Sequence, residues 1–178
     1  NENLARELLE LFTLGRGNYG QGDVRAGAKL LAGRYLDWEH GGIAVDDSQR
    51  RPRAQTYLGH DAVRDLDGLC EAILAHESCA PHVVGHLVAS LIGTDVPQRD
   101  LDDWTELLRS TGFEIAPVLA AVCDSDTFRS SRMARPRSGL EWFVAATAAV
   151  GHRDWAAWDL ETVGQMPYHP PNVAGWPG

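Results

Sequence analysis

Asn1-Glu-Asn-Leu-Ala-Arg-Glu-Leu-Leu-Glu-Leu-Phe-Thr-Leu-Gly15 decides the fold class of this chain. Leu4, Leu8, Leu11 and Phe12 recur at i, i+4, i+7 and i+8, so a helix places them on one face, which is expected to face the core. Asn1 or Asn3 serves as a cap, and Gly15 sits where a left-handed residue ends a helix. Glu2, Arg6 and Glu10 follow i, i+4 spacing on the other face and are expected to form a solvated ladder. Glu7 falls between Leu11 and Leu14 at the edge of the apolar stripe. A carboxylate there needs a cation or N–H donors, or else it takes up a proton. It is read first as half of a structural pair with an arginine or loop N–H groups. The alternative is a pocket carboxylate with a raised pKa, a weak candidate for acid–base catalysis.

Working outward, the same period recurs along most of the chain. A helix capped by Asp23 is expected to carry Val24, Ala28, Leu31 and Tyr35 inward and to run towards Trp38. From His40 to Gly59 the period is lost, which reads as a long polar loop. Ile43 to Val45 and Gln55 to Leu58 are the segments that would pair if it holds a short hairpin. Helices resume over Asp61 to Ala75, from Pro81 to near Gly93, from Asp100 or Asp102 to Gly112, and from Ile115 to Cys123. Ser138 to Val150 is apolar around most of its circumference and is expected to be the most buried helix. A last helix starts at Asp154 or Trp155 and ends near Gln165. The expected architecture is all-α, an irregular bundle of about eight helices in a single domain over residues 1–178.

Composition narrows the function. The 178 residues include 16 basic and 25 acidic side chains, a net charge of −9, which argues against general nucleic-acid binding. No apolar run approaches the roughly 20 residues that span a bilayer. Lys29 is the only lysine, a bias read as genomic. Cys70, Cys79 and Cys123 show no CxxC spacing and are expected to be buried free thiols.

Four stretches carry a family likeness: Asn1 to Gly15; Asp23-Val24 with the helix that follows; Thr56-Tyr57-Leu58-Gly59; and the closing Pro170-Pro-Asn-Val-Ala-Gly-Trp-Pro-Gly178. With the order of helices between them, the whole chain resembles the bacterial family known as domain of unknown function 1800. The resemblance implies a mostly helical, usually exported protein, normally more than twice this length, of which this chain is the C-terminal part. It also implies genes that neighbour those of a second exported family related in fold to sulfatases. His86-Leu87 stands where the family usually has Lys or Arg before an apolar residue, and Arg53 and Gln55 stand where its polar loop usually has a Lys. The family brings no catalytic residues to transfer.

Other constellations are weaker. His82 and His86 lie four apart on a helix, a spacing that chelates metals, but Val83 takes the place of a zincin glutamate and no third ligand is evident. They read first as solvent-facing or interface histidines, and no metal or other cofactor is expected. Asp124-Ser125-Asp126 reads as helix capping because it lacks the glycine and distal glutamate of a calcium loop. His169, Asn172 and Trp176 in the proline-stiffened tail are weak ligand-binding candidates, set against a loop that simply packs its Trp on the helices. There is no nucleophile elbow, P-loop or dinucleotide fingerprint. The first expectation is therefore an extracytoplasmic scaffold or binding module acting with a co-encoded exported protein. The alternative is a hydrolytic or metal-assisted enzyme that shares its site with a preceding part of a longer protein.

Overall fold

A computed structural model describes residues 2–50, 53–93, 95–152 and 157–176. About 53% of the chain is helical, with two small two-stranded sheets, so the fold is mostly helical and not purely all-α. It divides into two compact units, Asn1–Arg129 and Ser130–Gly178.

The first unit opens with α1 (Glu2–Glu7), which continues without a break into a π-helical segment (Leu8–Thr13). The wider turn is fixed by Leu14 N–H donating to the Leu9 carbonyl at 2.8 Å, and the Thr13 hydroxyl donates to the Leu8 carbonyl at 2.7 Å. That extra residue per turn moves the buried stripe. Ala5, Leu9 and Leu14 are buried, whereas Leu4 and Phe12, expected in the core, are 58% and 59% exposed. The expected ladder forms no direct ion pair among the described residues: Arg6 donates to Gln21 at 2.9 Å, and Glu10 is held by Arg16 and by the Tyr19 hydroxyl. The Asn1 cap lies outside the described residues.

Helix α2 (Gln21–Leu30) buries Val24, Ala28 and Leu30 but stops well before Trp38. Gly33, at φ +80°, turns the chain, and its carbonyl accepts the Asp46 amide at 2.7 Å. A Cβ at Gly33 would lie 2.5 Å from the Asp46 carbonyl oxygen, so only glycine fits this crossing. Strand β1 (Arg34–Leu36) then pairs antiparallel with β2 (Ile43–Val45), in the register Arg34 to Val45 and Leu36 to Ile43. Tyr35 is therefore on an exposed strand.

The second hairpin is also rearranged from expectation. Strand β3 (Gln55–Tyr57) pairs with β4 (His60–Val63), not with Ile43–Val45. Residues 61–63, expected as the start of a helix, are strand because Leu58-Gly59 forms a two-residue turn with positive φ at both positions. Helix α3 (Leu66–Ala75) begins only at Asp65, whose carboxylate accepts the Gly68 amide at 2.9 Å.

Helices α4 (Cys79–Leu91), α5 (Gln98–Ser110) and α6 (Ile115–Asp124) follow, with Pro81 in the first turn of α4 as expected. A short α7 (Asp126–Ser130) starts where the Ser125 hydroxyl accepts the Phe128 amide at 3.0 Å, a capping role for this acidic stretch. Two cores result. One gathers Leu9, Leu14, Val24, Tyr57, Leu69 and Ile73; the other gathers Val84, Val88, Trp104, Leu108, Val118 and Val122. Helix α4 supplies both, with Cys79 in the first and Val84 and Val88 in the second.

The second unit contains α8 (Gly139–Ala149) and α9 (Ala157–Thr162). Against expectation, no residue of α8 is buried, and Trp142 and Val144 are 57% and 45% exposed. A two-helix unit has too few neighbours to cover a helix that is apolar on all sides. Its N-terminus is nevertheless well fixed. Ser138 and Glu141 form a capping box, and the Leu140 amide donates to Gln165 at 2.9 Å. The expected start of the last helix, Asp154 or Trp155, lies outside the described residues.

Candidate functional site

The displaced stripe of the first helix creates a site that helical periodicity did not reveal. Leu4 and Phe12, left outside the core, and the half-buried Leu8 face Leu66, Ile73 and Leu74 of α3 across an open groove of about 410 Å³. Leu69 and Leu31 form its floor, buried beneath the exposed rim. Leu74 is 46% exposed, so both walls present large apolar side chains to water. Cys70 also lines the groove and is an exposed free thiol. Cys123 is likewise exposed; of the three free cysteines only Cys79 is buried as expected, and burial pushes its thiol pKa up.

Glu7 is half-buried and forms no hydrogen bond or ion pair among the described residues. Neither an arginine nor a loop N–H meets it. Glu10, one turn away, carries the ion pair instead, at 2.5 Å from Arg16 Nε. Hydrogen bonds from Arg16 and Tyr19 hold its carboxyl below the ordinary range, and desolvation with the Glu10 contact raises the Tyr19 phenol.

His82 and His86 do share a face of α4, with ring centroids 4.4 Å apart at 54°. They differ in role. His82 is half-buried, and its Nε2 lies 3.0 Å from the Leu11 carbonyl in the π-helical segment. A carbonyl only accepts, so Nε2 carries a proton, and Nδ1 lies on the other edge of the ring. That edge faces Gly15, where an added Cβ would lie 2.9 Å from Nδ1. Gly15 thus ends the first helix and admits the His82 ring. His86 is exposed. Among the described residues no three His, Cys, Asp or Glu side chains gather as a metal site.

The tail candidates diverge as well. Asn172 spends its side-chain oxygen on the Ala174 amide at 2.9 Å, closing a tight turn, and His169 is exposed. Trp176 is half-buried, with its indole N–H shielded from water and without an acceptor among the described residues.

No helix among the described residues is long and apolar enough to cross a membrane. A family model described as "Protein of unknown function (DUF1800)" matches residues 1–178. No curated protein and no solved structure matches the chain.

Proposed function

The chain belongs to the DUF1800 family, and from its open apolar groove we propose that it is a helical binding module, acting outside the cytoplasm with a co-encoded partner. The observation that carries this reading is the exposure of Leu4, Phe12 and Leu74 around one continuous apolar groove. Apolar surface left in water forgoes about 25 cal/mol per Å², which a docked partner recovers.

The occupant is an amphipathic helix of the partner. Both walls are helical, so a third helix can lay its side-chain ridge between them, and α3, at ten residues, is about 15 Å long. That length takes apolar anchors at i, i+3, i+4 and i+7. Glu7 lies one turn from both Leu4 and Leu11, and Asp67 shares a stripe of α3 with Leu74. Neither carboxylate has a partner among the described residues. Lys or Arg flanking the apolar anchors would satisfy both.

Co-expression of the full-length protein with the product of its neighbouring gene tests the proposal. The expected result is a complex that slows alkylation of Cys70, leaves Cys123 reactive, and is lost in Phe12→Glu and Leu74→Glu variants of unchanged helicity. A monomeric protein without that partner, or a complex indifferent to both substitutions, overturns it. Self-association abolished by the same substitutions would replace the partner with a second copy. Recovery of the native protein in the cytoplasmic fraction would overturn the assigned compartment.

A further inference from the structure

The second unit concentrates positive charge in an acidic chain. Arg132, Arg135 and Arg137 fall within six residues, whereas the chain as a whole carries −9. All three line a cavity of about 870 Å³, with Trp142 in its wall. That volume lies in the range of small-molecule sites, about 300–1,000 Å³.

The arginines divide into one clamp and two unpaired cations. Arg135 grips both carboxylate oxygens of Glu141, at 3.0 and 2.7 Å, and also reaches the Pro136 carbonyl at 3.2 Å. Glu141 in turn accepts the Ser138 amide at 2.8 Å, so the loop is pinned to the first turn of α8. Arg132 and Arg137 are exposed and have no hydrogen bond or carboxylate partner among the described residues. Two like charges on one cavity repel each other, and a bound anion relieves that repulsion. Guanidinium groups match the paired oxygens of carboxylate, phosphate or sulfate. Trp142, 57% exposed in the same wall, offers an indole face to a ring.

We infer that this cavity binds a small organic anion whose carboxylate, phosphate or sulfate is carried on a ring. Arg132 and Arg137 take the oxyanion, Trp142 stacks on the ring, and the Arg135–Glu141 clamp holds the loop in place. The inference is independent of the groove in the first unit. Acidic sugars and nucleotides share this chemistry, and titration distinguishes them.

Calorimetry on the full chain would compare a uronic-acid oligosaccharide, a mononucleotide, inorganic phosphate and a neutral oligosaccharide. One ring-bearing oxyanion is expected to bind at least about tenfold more tightly than phosphate or the neutral sugar. Whichever of the sugar and the nucleotide binds identifies the source. The Arg132→Gln/Arg137→Gln double variant is expected to weaken it by about tenfold or more and to flatten its salt dependence. Trp142→Ala is expected to weaken the ring compound and leave phosphate unchanged. These substituted side chains are exposed, and circular dichroism verifies that the fold persists. Absence of binding by either ring compound, phosphate binding of equal strength, or a double variant that binds like the wild type overturns the inference.

Discussion

Asp23 holds Leu58: its Oδ1 accepts the Leu58 amide at 2.9 Å, while its Oδ2 accepts the Gly20 amide at 2.8 Å. One carboxylate thus closes the N-terminus of α2 and fixes the turn between β3 and β4, 35 residues on. Leu58 sits at φ +50°, a conformation that costs a non-glycine residue free energy and persists only where its surroundings fix it. Asp23→Ala removes the helix cap, worth about 1 kcal/mol. It also leaves the part-buried Leu58 amide without its acceptor, at about 1–3 kcal/mol. The expected loss is therefore about 2–4 kcal/mol by urea denaturation, with a smaller loss for Asp23→Asn, which keeps one acceptor. A wild-type midpoint in Asp23→Ala would refute the linkage.

Tyr57, just before that turn, is 1% exposed and lies over Gly27 of α2. A Cβ at Gly27 would come 3.2 Å from the Tyr57 ring and 3.4 Å from the Ala5 side chain. Gly27→Val is expected to overpack this three-way contact and cost about 1–3 kcal/mol. Burial, followed by the charge of Asp23, raises the Tyr57 phenol pKa well above its ordinary 10.0. Because the folded value is raised, the stability linked to the neutral phenol is fully present below about pH 10. It is lost as pH climbs towards the folded value. Ultraviolet titration should show Tyr57 ionising only together with unfolding. Its early ionisation in a folded protein would contradict the packing.

The π-helical segment separates two leucine-rich faces that look alike in sequence. Leu9 is fully buried, so Leu9→Ala is expected to cost about 2–5 kcal/mol. Phe12 and Leu4 are more than half exposed, and Phe12→Ser or Leu4→Ser should cost less than about 1 kcal/mol. Thermal melts of the three variants would test the assignment directly. Equal losses at Leu9 and Phe12 would restore a regular α-helix with Phe12 in the core.

This contrast shows why parts of the fold were legible and parts were not. Leu4, Leu8, Leu9, Leu11, Phe12 and Leu14 satisfy a 3.6-residue period whichever face is buried, and no residue announces the wider turn. The helices from α3 to α6 were legible because Pro81 and Gly112 punctuate a clear apolar period, although α3 starts at Leu66 and not at the expected Asp61. Both hairpins were obscured by brevity, since strands of three or four residues carry too little alternation to assign partners. Helix α8 misled in another way: all-round apolarity reports a need for cover and does not specify what supplies it. Among the site residues, the His82–His86 face was readable from i, i+4 spacing, but the His82 bond to Leu11 spans 71 positions and leaves no local trace. The arginines of the second unit are conspicuous in sequence. Their division into one clamp and two unpaired cations depends on Glu141, which the structure alone brings into play.

Glu141 provides the last expectation. The bidentate contact with Arg135, followed by the Ser138 amide, holds its carboxyl down to about 2 from an ordinary 4.5. A depressed folded value means that the linked stability is fully present above about pH 4.5 and is lost as pH falls towards 2. Its side chain is 45% exposed, so solvent screens the pair and the change in overall stability is small. The local signal should be clear. Carboxyl resonances of Glu141 are expected to titrate near pH 2 in the wild type and to move towards the ordinary value in Arg135→Gln. Glu141→Gln should remove this acid-dependent step and loosen the start of α8, seen as faster exchange of the Leu140 and Glu141 amides. An ordinary titration midpoint for Glu141 in the wild type would mean that the clamp does not hold in solution, and that the cavity beside it lacks a fixed wall.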